Sequence, residues 1–243
     1  MIINDHLALL DIQAWGENSF YLAVLFSQES AALFDASLPG SLPHIREAML
    51  CDHLPFEKIN RVFITHHDFD HIGGLPELLA GSYQKIEVLA HPLEQPYIEG
   101  CKPPIKSDPA IRKQMQRNLP AGQTLGPARP IENPPAVPVD KLLSDGQFLN
   151  IYGGIKVIHV PGHTPGHLCY YLYDSKTLIA GDALRANNGQ LQPPAPEHSV
   201  DIRQAYSSLK KLLEFDIDKV ICCHGGLCSD HIRDQISQLT ANF

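Results

Sequence analysis

The sequence of 243 residues has no apolar run close to the roughly 20 residues that a membrane-spanning helix requires. Its first residues contain no basic region, no long apolar stretch and no small-residue cleavage site, so we expect no signal peptide. No run of five charges of one sign occurs, which argues against a polybasic membrane patch or an acidic tail. The net charge of −8 also disfavours a nucleic-acid partner, because nucleic acids bind basic surfaces. We therefore expect a cytoplasmic protein that binds neither membranes nor nucleic acids.

Regularly spaced cysteines are also lacking. The six Cys form no CxxC pattern, so we expect reduced, buried thiols. With 44% hydrophobic and 19% charged residues, the composition is that of an ordinary globular protein. Histidine is what the sequence has in excess, since 13 His stand against 19 Lys and Arg together. This excess makes metal binding a candidate function.

The apolar patterns predict strands first and helices later in each half of the chain. Residues 7–34 predict three strands, and residues 41–50 predict a helix. Strand patterns return from residue 140, and helical patterns follow at 200–213 and 230–240. Because this order is not a simple βαβ alternation, we expect one α/β domain over residues 1–243, built as a two-sheet sandwich.

A proline-rich insertion interrupts this plan at about residues 96–138. It contains ten Pro, and only residues 111–119 within it have a helical pattern. Long loops inside compact folds are often lids or interface segments, and a solvated connection fits equally well. The sequence leaves these alternatives open.

The most informative segment is THHDFDHIGG at residues 65–74, directly after an apolar strand pattern. A strand end and its loop can direct several short side chains into one space. His and Asp together are the usual ligands of zinc, manganese and iron. The segment offers five such side chains: His66, His67, Asp68, Asp70 and His71.

Three more strand patterns end in a His or an Asp beside glycine. They lead into PGHTPGH at 161–167, Gly181-Asp182, and CHGG at 223–226. Four strand ends that each supply metal-binding side chains are hard to attribute to chance. The sequence therefore predicts a metal site assembled from the whole chain.

This order of motifs closely resembles the metallo-β-lactamase superfamily of binuclear metallohydrolases, over residues 7 to about 235. The resemblance implies a four-layer αββα sandwich with the metals at the sheet edge. It also implies two divalent metal ions, usually zinc, held by two groups of ligands that Asp182 bridges together with a water or hydroxide. One group is His66, Asp68 and His163; the other is Asp70, His71 and His224.

Asp68 departs from the usual HxHxDH motif of that superfamily. Alternation along an extended segment would turn His67 away from His66 and Asp68, so we take Asp68 as the ligand. The alternative is that Asp68 only supports a weak first site. Three carboxylates and a hydroxide balance two divalent ions, whereas the usual site keeps a net charge of +1. We therefore expect manganese or iron to be favoured more than in the usual site.

The resemblance implies a hydrolase whose metal-bound hydroxide attacks a small ester, lactone, thioester or similar substrate, with Asp70 receiving the proton. A glyoxalase II-type enzyme also resembles this motif set, but only 19 residues follow His224 here, which disfavours it. An iron-dependent oxidoreductase and a non-catalytic metal-binding protein are the alternatives, and a homodimer stays open. Supporting roles are expected for Asp35, Thr65 and His167, and places in the pocket for Phe69, Tyr97 and Arg185.

Overall fold

The computed structural model describes residues 1–15, 18–127 and 135–241. The first seven strands form one sheet, in chain order: β1 (Ile2–Asn4), β2 (Leu7–Trp15), β3 (Asn18–Phe26), β4 (Ala31–Phe34), β5 (Ile59–Phe63), β6 (Glu87–Ala90) and β7 (Lys141–Leu142). Strands β1 to β4 pair antiparallel, and β4 to β7 pair parallel.

Within the range 135–241, eight further strands follow: β8 (Phe148–Leu149), β9 (Ile155–His159), β10 (Leu168–Leu172), β11 (Thr177–Gly181), β12 (Arg185–Asn187), β13 (Gln190–Gln192), β14 (Lys219–Cys222) and β15 (Gly226–Cys228). Six of them form a second sheet in the order β15-β14-β11-β10-β9-β8, in which β11 and β14 are parallel. Strands β12 and β13 form a separate hairpin.

The described residues form seven α-helices: α1 (Leu42–Cys51), α2 (Phe69–Ile72), α3 (Leu75–Ala80), α4 (Gln95–Ile98), α5 (Pro109–Gln116), α6 (Ile202–Leu209) and α7 (Ile232–Thr240). Four short 3₁₀ turns accompany them, at Phe56–Lys58, Ile105–Ser107, Pro196–His198 and Lys210–Glu214. Within the described ranges, no helix has the length and apolar character needed to cross a bilayer.

Alternating side chains of the strands build the layers. In β2, Leu7 and Leu9 join a core that also contains Val157 and Tyr170 of the second sheet. Leu10, on the opposite face of β2, joins a core with residues of α1 to α4. A third core lies between the second sheet and helices α6 and α7. The result is the four-layer αββα sandwich, which confirms the predicted fold class.

Parallel strands bring polar side chains to one edge of this sandwich. Asp35 and Thr65 follow the parallel neighbours β4 and β5. Asp182 and Cys223 follow the parallel neighbours β11 and β14. Because the carboxyl ends of parallel strands lie at the same edge of a sheet, the motifs that are distant in sequence meet there.

The insertion at 96–138 contains more regular structure than the sequence predicts. It holds the 3₁₀ turn Ile105–Ser107 as well as α5, which begins two residues before the predicted helix. Asn118 Nδ2 donates to the carbonyl of Ser199 at 2.7 Å and so ties the insertion to the second half of the chain. Residues 128–134 of the insertion lie outside the described residues.

The β12–β13 hairpin is absent from the sequence prediction, although its turn carries a clear signal. Asn188 and Gly189 form the two-residue loop with φ values of 49° and 74°. Asn-Gly is the dipeptide that favours such tight hairpin turns, because both residues tolerate positive φ. The prediction of buried thiols is also corrected at two positions. All six Cys are free, and Cys51 and Cys101 are exposed.

Candidate metal centre

The loop after β5 supplies four of the predicted ligands. His66 and His71 are fully buried, whereas Asp68 and Asp70 are partly exposed. Asp68 stands at the N-cap position of α2, where an Asp side chain often accepts a backbone hydrogen bond. Here its carboxylate forms no such cap, and its Oδ2 faces His66 and His163 instead.

A buried hydrogen-bond network fixes the two histidines of this loop. Asp35 accepts hydrogen bonds from the backbone N–H and the hydroxyl of Thr65, both at 2.8 Å. His71 Nδ1 donates to Asp35 Oδ2 at 2.8 Å, and His66 Nδ1 donates to the Thr65 hydroxyl at 2.9 Å. Both histidines therefore direct the lone pair of Nε2 away from the network, as in carboxylate–histidine–metal arrangements.

The loop between β9 and β10 supplies His163 and His167. His167 Nε2 accepts the backbone N–H of Asp182 at 3.1 Å, so this histidine holds the strand end that carries Asp182. Burial lowers the pKa of His167 to about 3, and the ring is therefore a neutral acceptor. Its expected supporting position is what the structure shows.

Glu94, which the sequence analysis does not single out, joins the two ligand loops. Its buried carboxylate accepts from the backbone N–H and the ring Nδ1 of His67 on one side. On the other side it accepts from the Thr164 hydroxyl at 2.9 Å and the Gly166 N–H at 2.6 Å. Tyr97 stacks on the His67 ring with a centroid distance of 4.2 Å. His67 is therefore turned away from the centre, as alternation predicts, and braces the loop.

Asp182 follows β11 through a glycine whose conformation few other residues adopt. Gly181 has φ of +51°, and a Cβ there would lie 2.8 Å from His167 Nε2 and 2.9 Å from the Thr65 side chain. Only glycine fits this approach without displacing the supporting groups. The turn places Asp182 between the two predicted ligand groups.

His224 is held by β3 of the first sheet and by the β12–β13 hairpin. Its ring meets Phe20 of β3 edge to face at 5.5 Å, and its carbonyl accepts the N–H of Ala186 at 2.8 Å. The carbonyl of the preceding Cys223 accepts the N–H of Tyr21 at 2.9 Å. The Cys223 sulfur and one ring nitrogen each of His71 and His224 all lie within 4.8 Å of one another. Cys223 thus borders the second ligand group.

The second group consists of Asp70, His71, Asp182 and His224. Asp70 Oδ2 lies 3.2 Å from His224 Nε2 and 3.8 Å from His71 Nε2. Asp182 Oδ1 lies 3.3 Å from His71 Nε2 and 3.4 Å from His224 Nε2. Donors bound at about 2.1 Å in a tetrahedral zinc site stand about 3.4 Å apart. His71 Nε2 and Asp182 Oδ1 are buried and have no hydrogen-bond partner in the described chain. This group therefore fits a metal ion.

The first group consists of His66, Asp68, His163 and Asp182. Asp68 Oδ2 lies 3.3 Å from His66 Nε2 and 2.9 Å from His163 Nε2. Asp182 Oδ2 lies 3.5 Å from His163 Nε2, so the two oxygens of Asp182 face the two groups. These donor spacings also suit a metal. In this group, however, a fifth side chain is present: the ammonium of Lys106 contacts Asp68 Oδ2 and lies 2.9 Å from His163 Nε2.

The carboxylates of the centre stabilise positive charge on the groups beside them. Burial disfavours the charged form of His224, but the nearby carboxylates of Asp182 and Asp70 raise its pKa to about 11. Burial alone would raise the pKa of Asp68, but the Lys106 ammonium and His66 hold it well below its usual range. Burial and the charge on His71 keep the pKa of His66 well below its usual value. The centre therefore favours bound cations.

A cavity of about 350 Å³ opens directly over both groups. Its lining residues are Asp68, Asp70, His163, Asp182, Arg185, Ala195, Glu197, His198 and His224. A second cavity of about 640 Å³ adjoins it, and Asp70, Arg185 and His224 line both. The size of the first cavity suits a small molecule.

Comparison with known proteins agrees with this geometry. The model of the metallo-β-lactamase superfamily matches residues 13–224. The chain belongs to the metallo-β-lactamase superfamily. The match spans every residue of the two ligand groups.

Relatives within the superfamily include named hydrolases. A probable metallo-hydrolase of Bacillus subtilis, YflN, is 28% identical over 91% of this chain and 86% of its own length. A hydroxyacylglutathione hydrolase of Alkalilimnicola ehrlichii is 30% identical over 89% of this chain and 64% of its own length. The chain thus spans less than two thirds of that enzyme.

Solved structures show the same fold. A metallo-β-lactamase family protein from Thermus thermophilus has a TM-score of 0.74 and 22% identity, with 99% of this chain and 80% of that chain covered. A metallo-β-lactamase from Pontibacter korlensis has a TM-score of 0.68 and 12% identity, with 99% and 96% covered. At these identities the likeness concerns the fold alone.

The structure brings all seven predicted ligands together, in the two groups that the superfamily resemblance implies. Of the predicted pocket residues, Arg185 lines the cavity, whereas Phe69 and Tyr97 do not. Tyr97 instead stacks on His67. Glu94 and Lys106 are the important residues that sequence reasoning missed.

Proposed function

We propose that this protein is a metal-dependent hydrolase that acts on a small ester, lactone or thioester. The observation that carries the proposal is the second ligand group at the floor of the cavity. Its donor atoms have tetrahedral spacing, and two of them are buried without a hydrogen-bond partner among the described residues. A divalent ion held there would acidify a water molecule and polarise the substrate's carbonyl oxygen.

The chain's own residues supply the remaining steps. His71 is held by Asp35, and His224 is held by β3 and the β12–β13 hairpin, so the centre is rigid before the substrate arrives. Asp70 is 28% exposed and lines the cavity, and its Oδ2 is placed to receive the proton that the attacking water loses. Asp70 is therefore the proposed catalytic residue as well as a ligand.

Arg185 is the side chain that we assign to substrate orientation. It lies where the two cavities meet, and its Nε donates to the carbonyl of Pro193 at 3.1 Å. This bond holds the guanidinium at the wall of the cavity, where it can bind an acidic or carbonyl group of the substrate. A small molecule with an anionic part is therefore the proposed partner, and the protein is proposed to act in the cytoplasm.

The names of the relatives suggest the first thioester to test. Hydroxyacylglutathione hydrolases are among them, so a hydroxyacylglutathione belongs in the panel beside a p-nitrophenyl ester, a γ-lactone and a phosphodiester. The protein is assayed after reconstitution with zinc, manganese or iron, and the bound metal is measured. Turnover that requires metal in one of the first three classes supports the proposal. Bound metal with no turnover in any class would favour the non-catalytic alternative.

The number and identity of the ions stay predictions. The resemblance implies two ions, and Asp68 makes manganese or iron plausible beside zinc. The proposed reaction itself needs an ion only at the second group.

A further inference from the structure

Lys106 enters the centre from the proline-rich insertion, in the 3₁₀ turn Ile105–Ser107. The side chain is only 17% exposed. Immediately after the turn, Asp108 caps α5 by accepting the N–H of Ala110 at 2.7 Å. Asn118, just beyond α5, is bonded to the carbonyl of Ser199. The cap fixes the start of α5, and the Asn118 bond ties the insertion that carries Lys106 to the second half of the chain.

The contacts of Lys106 are made to atoms that a metal ion would need. Its ammonium contacts Asp68 Oδ2 and lies within hydrogen-bond distance, 2.9 Å, of His163 Nε2. A neutral imidazole nitrogen has one lone pair, and it can accept a proton donor or bind a metal but not both. His163 Nε2 also lies 2.9 Å from Asp68 Oδ2, and whether it accepts from Lys106 or donates to Asp68, it has no free lone pair for a metal ion in this arrangement.

The charges at the centre agree with a lysine in this role. Asp68 adds a carboxylate where the superfamily motif has a neutral histidine, and Lys106 adds the matching positive charge beside it. With one divalent ion at the second group, three carboxylates face two positive charges from the ion and one from Lys106. The centre is then neutral before any hydroxide forms.

We propose that the ammonium of Lys106 takes the place of a metal ion at the first group, so that the chain binds one divalent ion, at the second group. The inference deepens the proposed function and rests on its second ligand group. The ammonium satisfies Asp68 and His163, the two side chains that would bind a second ion in the superfamily arrangement. Asp68 and Lys106 then form an ion pair in a centre that binds one metal ion.

The test is the number of metal ions bound to the full-length protein. The wild type, Lys106→Met and Lys106→Arg are stripped with a chelator, dialysed against excess zinc, and analysed by mass spectrometry of the metal and by calorimetry. Lys113→Met is the matched control, because Lys113 is an exposed lysine of the same insertion. We expect about one ion per chain for the wild type, the control and Lys106→Arg, and about two for Lys106→Met.

Three results would overturn the inference. Two ions in the wild type would refute it while leaving the proposed function intact. One ion in both the wild type and Lys106→Met, with unchanged circular dichroism, would show that Lys106 does not set the count. No ion in any variant would refute the proposed function itself.

The position of the single ion is tested separately, in the wild-type background. His163→Ala should retain the ion, whereas His224→Ala should lose it. Retention by His224→Ala with loss by His163→Ala would place the ion at the first group and refute the inference.

Discussion

The carboxylate of Glu94 is expected to be among the most important single groups for the stability of the centre. It is fully buried and accepts four hydrogen bonds, two from His67 and one each from Thr164 and Gly166. Burial alone would raise the pKa of Glu94, but the charge of His67 and these bonds lower it. Glu94 is therefore a buried carboxylate, and its hydrogen-bond donors are too buried to bond to bulk water in its place.

Truncation by Glu94→Ala leaves these donors buried without an acceptor. Hydrogen bonds to a charged group contribute about 1.5–3 kcal/mol each, but their losses do not add fully. Breaking a comparable buried pair costs about 3–5 kcal/mol, and we expect a loss in that range. For a chain of this size each kcal/mol lowers Tm by about 2–4 °C, so the expected decrease is about 6–20 °C.

The assay is thermal and urea unfolding followed by circular dichroism. Glu57→Ala is the matched control, because Glu57 is an exposed glutamate of the same half, and its loss should change stability by less than about 0.5 kcal/mol. Glu94→Gln keeps the shape of the side chain but replaces an acceptor with a donor. Its loss of stability should lie between those of Glu57→Ala and Glu94→Ala. A loss of stability below about 1 kcal/mol for Glu94→Ala would contradict this role of Glu94, since buried donors cannot lose their acceptor at so small a cost.

Three further predictions concern the centre and its cavity. Asp35→Asn should weaken metal affinity about 10–100-fold, because Asp35 orients His71, and competition with a chromophoric zinc chelator measures this. Gly181→Ala should destabilise the protein by about 1–3 kcal/mol through its positive φ and close contacts, whereas Gly126→Ala, with no neighbour within 4 Å of the added Cβ, should be nearly neutral in urea unfolding. Arg185→Gln should raise KM for acidic substrates about tenfold while kcat changes less. Steady-state kinetics measure this, with a neutral analogue of the substrate as the control. An equal rise in KM for the acidic and the neutral substrate would contradict the prediction.

The strand ends made much of the centre predictable from the sequence. Each ligand motif follows an apolar strand directly, and parallel neighbours end at the same edge of their sheet, which places THHDFDH beside Asp35 and CHGG beside Asp182. The outward turn of His67 follows from the same alternation. The fold class was predictable because the apolar patterns came as strands before helices in both halves.

Glu94 and Lys106 were not predictable, for different physical reasons. Glu94 lies just after a strand, in a segment with no motif, and its importance comes from three partners that only the tertiary fold brings together. Lys106 stands 38 residues after Asp68, inside a proline-rich stretch whose path no periodic pattern fixes. The β12–β13 hairpin, in contrast, carried an Asn-Gly signal that could have been used.

Lys106 also changes the argument about metal identity. The expectation of manganese or iron depends on three uncompensated carboxylates. Because the Lys106 ammonium neutralises Asp68, the centre has the net charge of one with two carboxylates. If Lys106 stays in the centre, the electrostatic preference for harder metals should be small, and the metal content of protein expressed in balanced metals measures it.

We propose that a metal ion at Asp70, His71, Asp182 and His224 drives hydrolysis. The most direct measurement is the rate of hydrolysis of the best substrate in the panel, by protein stripped of metal and then titrated with metal, for the wild type and His224→Ala. We expect activity to disappear on stripping, to return in the wild type in proportion to bound metal, and not to return in His224→Ala. Full activity of the stripped protein, or full restoration in His224→Ala, would contradict this proposal.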